Sequence, residues 1–208
     1  MADIENYKTI ASEVFSEITI KHSRFLGFAK PVKTAREAFD FLELLKREYY
    51  GAKHHVYAYS LHENGQARCS DDAEPKGSAG LPVLDVLIKN QIFDCAIVVV
   101  RYFGGVLLGK SNLTNAYRTC AKSVVKSSEI ITMSKCLKFG AECNYRNYKR
   151  ICDIIASFNG TIDVVNFLEN IKFEFHVKKR FSDKIFKILS SFSENNLRFK
   201  IIDEGFMR

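Results

Sequence analysis

Residues 95–111 read CAIVVVRYFGGVLLGKS: an unbroken apolar run, then a glycine loop ending in lysine and serine. Cys95 to Arg101 predicts a buried strand, because a strand covered on both faces has no polar alternation. Gly104 to Ser111 satisfies the pattern G-x-x-x-x-G-K-[ST] of a phosphate-binding loop, between a predicted strand and a predicted helix. That pattern would place the chain among parallel nucleotide-binding sheets. The flanking sequence points elsewhere. No run of alternating β and α units surrounds it, and Asp94 precedes its strand instead of ending one as a magnesium-binding Asp does. Val106-Leu107-Leu108 also reads as a segment that packs inward. The expected fold class is therefore α+β.

Downstream, Leu113, Ala116, Tyr117, Cys120, Ala121 and Val124 recur at helical spacing, opposite a basic face of Arg118, Lys122 and Lys126. Upstream, Tyr7 to Pro31 reads as strands and turns. Thr34 and Glu37 form a capping box for a helix with Ala38, Phe41, Leu42 and Leu45 on its apolar side, and Gly51 is the expected stop. His54 to Leu61 alternates as a strand and Asn64-Gly65 marks a hairpin turn. Pro82 lies near the start of a short helix entered through glycine. Beyond Leu137 the order is strand, helix, two strands, helix, strand, which is the ferredoxin-like β-α-β-β-α-β arrangement. Two domains are expected, residues 1–134 and 135–208.

The chain has 208 residues with 47% hydrophobic content, enough to build real cores. Its apolar runs fall short of the roughly 20 residues of a membrane span, and Met1 to Lys8 has no apolar leader pattern, so a cytoplasmic protein without membrane association is expected. The six cysteines form no CxxC pair, and neither a metal site nor a cofactor is expected from them. The net charge of +7 is concentrated late: residues 131–208 carry 14 basic and 9 acidic groups. Such a surplus favours polyanionic partners.

Two glycine-rich segments carry the candidate chemistry. In Asp71 to Gly80, the N–H groups of Gly77, Ser78 and Gly80 are expected to face outward at a helix start and accept a phosphate oxygen, with Lys76 beside them. Glu74 would oppose an anion unless Arg101 or Lys110 neutralises it. Asp71, Asp72 and Glu74 could alternatively hold a cation with His54, although no spacing fixes them on one face. His54 and His55 point to opposite sides of a strand, so they cannot share a metal. No nucleophile and base can be paired by spacing, and a non-catalytic role is the favoured expectation. The anion- or RNA-binding candidates are His54, Glu74, Lys76, Gly77, Ser78, Gly80, Arg101, Gly104, Gly105, Gly109, Lys110, Arg118 and Lys122.

His54 to Tyr59, Ser70 to Pro75, Gly77 to Gly80 with Pro82, Arg101 to Gly105, Leu107 to Gly109, and Leu113, Ala116 and Tyr117 together resemble the YigZ/IMPACT family in its bacterial two-domain form. The resemblance implies an N-terminal domain of the ribosomal-protein and elongation-factor-G βαβ type, followed by a small ferredoxin-like domain. For eukaryotic IMPACT it implies translational control. The family usually has Gly where this chain has Ala73, small residues and a glycine pair where Lys110, Ser111 and Asn112 stand, and a basic residue at Asn115. The leading expectation is a binding protein for RNA or a ribosome-associated factor. A phosphate-ester or nucleotide-directed enzyme using Gly104 to Ser111 is one alternative. A protein-binding module anchored by Tyr102, Phe103 and Leu107 is the other.

Overall fold

The computed structural model describes residues 5–192 and 197–208. Met1 to Ile4, part of the opening stretch read for a leader, lie outside the described residues. The chain divides into two compact units, residues 7–132 in one and residues 133–208 with Glu5 and Asn6 in the other.

The first unit holds β1 (Asn6–Ile10) from Tyr7 onward, β2 (Val14–Ile20), β3 (Ser23–Pro31), α1 (Ala35–Glu48), β4 (His54–Ser60), β5 (Ala67–Ser70), α2 (Gly80–Lys89), β6 (Cys95–Tyr102) and α3 (Lys110–Ser127). Its sheet has the order β2-β3-β6-β4-β5 with every pair antiparallel. β6 is central and covered on both faces, which explains its unbroken apolar composition. Ala96, Val98 and Val100 join the core under α1, whereas Cys95, Ile97 and Val99 join the core under α2 and α3. The two-residue period puts Arg101 on the second face. On β4 the same period puts Val56 and Ala58 there, and Tyr59 on the face of α1.

Helix α3 packs close to the sheet because β3 has glycine beneath it: a Cβ at Gly27 would lie 2.4 Å from Val124 and 2.8 Å from Cys120. All six residues of the predicted α3 stripe are buried. The Glu37 amide donates to the Thr34 hydroxyl at 3.1 Å, as the capping box predicts. Gly51 is not the stop, however. α1 ends at Glu48, with the Tyr49 amide donating to the Leu45 carbonyl, and Gly51 is not among the glycines with positive φ.

The second unit contains β7 (Ile130–Cys143), α4 (Tyr145–Ser157), β8 (Thr161–Phe167), β9 (Ile171–Lys178), α5 (Ser182–Ser190) and β10 (Arg198–Met207). The antiparallel order β10-β7-β9-β8 is the 4-1-3-2 arrangement of a ferredoxin-like domain. Phe139, Phe173 and Phe175 from the sheet meet Ile151, Ile155, Ile185 and Leu189 from α4 and α5 in one core. β7 and β10 extend beyond the stretches the apolar pattern predicts, since backbone pairing continues from Ser134↔Met207 to Glu142↔Arg198 whatever the side chains. All six cysteines are free thiols, and burial pushes Cys95 and Cys120 up to about 12.

Candidate functional site

Between β6 and α3 the chain passes over the end of the sheet, and the turn from β5 to α2 passes beside it. The two glycine-rich segments thus flank a cleft of about 530 Å³, lined in part by Lys53, His54, Glu74, Arg101, Phe103, Leu107, Gly109 and Lys110.

Glu74 forms its floor. The Glu74 Oε1 accepts from Arg101 Nη1 at 2.6 Å and from the Tyr117 hydroxyl at 2.7 Å, and His54 Nε2 lies 3.7 Å away. Glu74 and Arg101 side chains are 4% and 7% exposed, so this is a buried ion pair. Burial first, and then the Glu74 charge, push the Tyr117 phenol far above its ordinary value, so it stays a donor. Arg101 also lies 5.5 Å from the Phe25 ring centroid and 5.7 Å from that of Phe103. Glu74 thus pairs with Arg101, not with Lys110.

The segment before α2 is built around Asp71. Its carboxylate accepts from the amides of Gly77 (2.7 Å), Ala79 (3.0 Å) and Gly80 (2.8 Å). This corrects the expectation that Gly77, Ser78 and Gly80 offer free N–H groups to a phosphate: an internal carboxylate occupies that end of α2. Ser78 is buried and its hydroxyl donates to the Pro75 carbonyl. Asp72 accepts from the His55 amide at 2.6 Å. The three acids of this loop therefore have three separate tasks. Among the described residues no group of three His, Cys, Asp or Glu side chains is placed to hold a metal ion. His54 Nδ1 meets the Asp72 carbonyl at 2.8 Å on the cleft side. His55 lies opposite, its Nε2 3.2 Å from the Tyr49 carbonyl, and burial lowers its pKa.

Two consecutive non-glycine residues of this loop have left-handed backbones, Asp72 (φ 42°) and Ala73 (φ 65°). A Cβ there costs about 1–2 kcal/mol, partly offset by the lower unfolded-state entropy of alanine. Ala73→Gly is expected to raise stability by about 0.5–1 kcal/mol in urea denaturation; a loss of stability would contradict this account.

The second segment departs from the expectation that Val106-Leu107-Leu108 packs inward. Only Leu108 is buried; Val106 is 46% and Leu107 86% exposed. Gly104 is fixed by close approach, since a Cβ would lie 2.1 Å from the His22 backbone, and its amide donates to the Ser23 hydroxyl. The strand leading into the loop belongs to an antiparallel sheet, which also distinguishes it from a nucleotide-hydrolysing phosphate loop.

Of the sequence candidates, the cleft brings together His54, Glu74, Arg101, Gly109 and Lys110. Gly104, Gly105 and Lys76 are outside its lining. Arg118 faces α2, 3.8 Å from Asp85, and Lys122 is exposed further along α3. Lys53 and the Tyr117 hydroxyl are not among the sequence candidates: Lys53 sits one residue before the predicted strand, and Tyr117 belongs to the core stripe of α3, where its hydroxyl is the only sign of a polar partner.

The fold and the cleft define a two-unit α+β protein whose first unit walls a polar floor with two glycine-rich segments. The family described as the Impact N-terminal domain matches residues 21–125, just over half of the chain. The chain belongs to the IMPACT family. It is 29% identical over 178 residues to the IMPACT family member YvyE of Bacillus subtilis, covering 85% of this chain and 82% of that protein. A crystal structure described as that of a hypothetical protein matches with a TM-score of 0.65 at 25% identity, covering 96% of this chain and 98% of the other. A structure described as the two-domain translational regulator Yih1 matches over 58% of this chain and 47% of its own at 25% identity, with a TM-score of 0.33.

Proposed function

We propose that this protein is a non-catalytic, cytoplasmic regulator of translation that binds RNA or a ribosome-associated factor through the cleft of its first unit. The observation that supports this reading most is the cleft's make-up. The uncapped start of α3 and the cations Lys53 and Lys110 stand around a floor whose one carboxylate, Glu74, is already matched by Arg101. Such a site favours an anion over a cation. Membership of the IMPACT family fits a regulatory role. The basic surplus of residues 131–208 supplies further attraction for a polyanion. Among the described residues no helix is long and apolar enough to cross a membrane.

Binding of structured RNA or ribosomes is expected at low salt and should weaken steeply as salt rises, because each neutralised phosphate releases counterions. Sedimentation of the protein with ribosomes across a salt series, with and without nuclease, checks this. Absence of binding at low salt would overturn the reading. Recovery of a partner that persists after nuclease would favour a protein-binding module instead, for which the exposure of Leu107 is the supporting feature.

A further inference from the structure

Helix α3 opens into the cleft without a cap of its own. Gly109 makes no side-chain bond there, no acidic residue stands in the first turn, and Lys110, Ser111 and Asn112 follow. The Asn112 side chain donates backward to the Leu108 carbonyl, and the first backbone amide to find a helical acceptor is that of Leu113, on Gly109. The preceding amides are left to solvent or a ligand.

A second observation is independent of the helix. Arg101 lines the same cleft and is 6% exposed; among the described residues its guanidinium makes one hydrogen bond, from Nη1 to Glu74, and its buried Nε has no partner. A guanidinium carries five N–H donors, and leaving a buried one such as Nε unused is costly. Next to it Phe103 is 45% exposed, with Lys53 Nζ 5.9 Å from its ring centroid. The site therefore offers more donors than a carboxylate or an internal phosphodiester needs, beside a flat apolar surface. Its volume of about 530 Å³ lies within the usual range for small ligands, about 300–1,000 Å³, and a nucleic-acid duplex is too wide to enter it.

We propose that the cleft binds a phosphorylated nucleotide terminus, with the phosphomonoester on the α3 amides, Lys110 and Arg101, and the base against Phe103. This deepens the RNA-binding reading and rests on it in taking the cleft as the ligand site. The same chemistry is presented by the phosphorylated end of a single strand and by a free mononucleotide. Base stacking on an aromatic ring adds affinity with little sequence preference.

The test is fluorescence anisotropy with a single-stranded RNA labelled at one end and carrying either a phosphate or a hydroxyl at the other. Adenosine monophosphate and adenosine serve as competitors. The phosphorylated end is expected to bind at least about tenfold more tightly, as one charge-assisted hydrogen bond alone would give. Lys110→Ala should erode that preference and Phe103→Ala should weaken binding of both ends, while Lys46→Ala on α1 changes neither. Adenosine monophosphate should compete and adenosine should not. Competition as strong as that of the phosphorylated strand identifies a free mononucleotide as sufficient; weaker competition identifies the strand end. Equal affinity for the two ends overturns the proposal, and if that RNA binding is salt-dependent the broader reading stands without it. Binding of adenosine monophosphate with no RNA binding at low salt retains the nucleotide site and removes the RNA reading. Failure of every ligand removes both.

Discussion

Glu74→Leu is expected to destabilise the protein by about 3–5 kcal/mol, because it strips a buried guanidinium of its counter-charge. Arg101 would keep its charge at 6% exposure with no hydrogen-bond partner, and the Tyr117 hydroxyl would lose its acceptor as well. The attraction within a buried pair is largely cancelled by desolvation of both ions, so the penalty arises from separating them. The double variant Glu74→Leu, Arg101→Met should consequently recover most of the lost stability. Urea denaturation of the wild type and the two variants separates the cases. A single substitution costing under about 1 kcal/mol would mean that Arg101 reaches solvent and that the cleft floor is not dry.

Asp71→Ala is expected to cost about 2–3 kcal/mol at neutral pH, since it leaves three amides at the start of α2 without an acceptor. The same carboxylate predicts a pH dependence. Burial raises the Asp71 carboxyl, but the amides of Gly77, Gly80 and Ala79 and the charge of Lys110 outweigh it and hold the group below its ordinary 3.8. A carboxyl lower in the folded than in the unfolded chain contributes stability that is complete above the unfolded value and is lost as pH falls through the folded one. The stability gap between wild type and Asp71→Ala should thus be constant near neutrality and narrow only below about pH 4. Denaturation midpoints at neutral pH and through the acid range measure it. A gap that narrows on raising the pH would reverse the assignment.

The two ends of α2 and α3 show what kinds of information were legible in residue order. Helix and strand identities followed from residue pattern: the α3 stripe is buried as spaced, the alternation in β4 sorts its residues onto two cores, and the unbroken apolar run of β6 is buried on both faces. These are local properties, because each depends only on where successive Cβ atoms point. The ferredoxin-like element order in the second unit was legible for the same reason, although the pairing of its first and last strands, β7 with β10, is long-range. Residue types alone also located the two glycine-rich segments that flank the cleft.

What occupies those segments was decided by long-range packing. The glycine-led starts of α2 and α3 look equally able to accept an anion in the sequence, yet the Asp71 carboxylate closes the start of α2 while that of α3 remains open. The run Val106-Leu107 reads as core but is held outward, because close packing of Gly104 on the backbone at His22 leaves the loop beyond it in solvent. Tyr117 reads as core and is core, but its hydroxyl ends on Glu74, 43 positions earlier in the chain. Which charge is neutralised and which stays available depends on contacts between distant segments, whose free energies exist only once the sheet has brought them together. Periodicity therefore determined the elements, the glycine-rich residue types marked the segments that flank the cleft, and the tertiary structure determined its polarity.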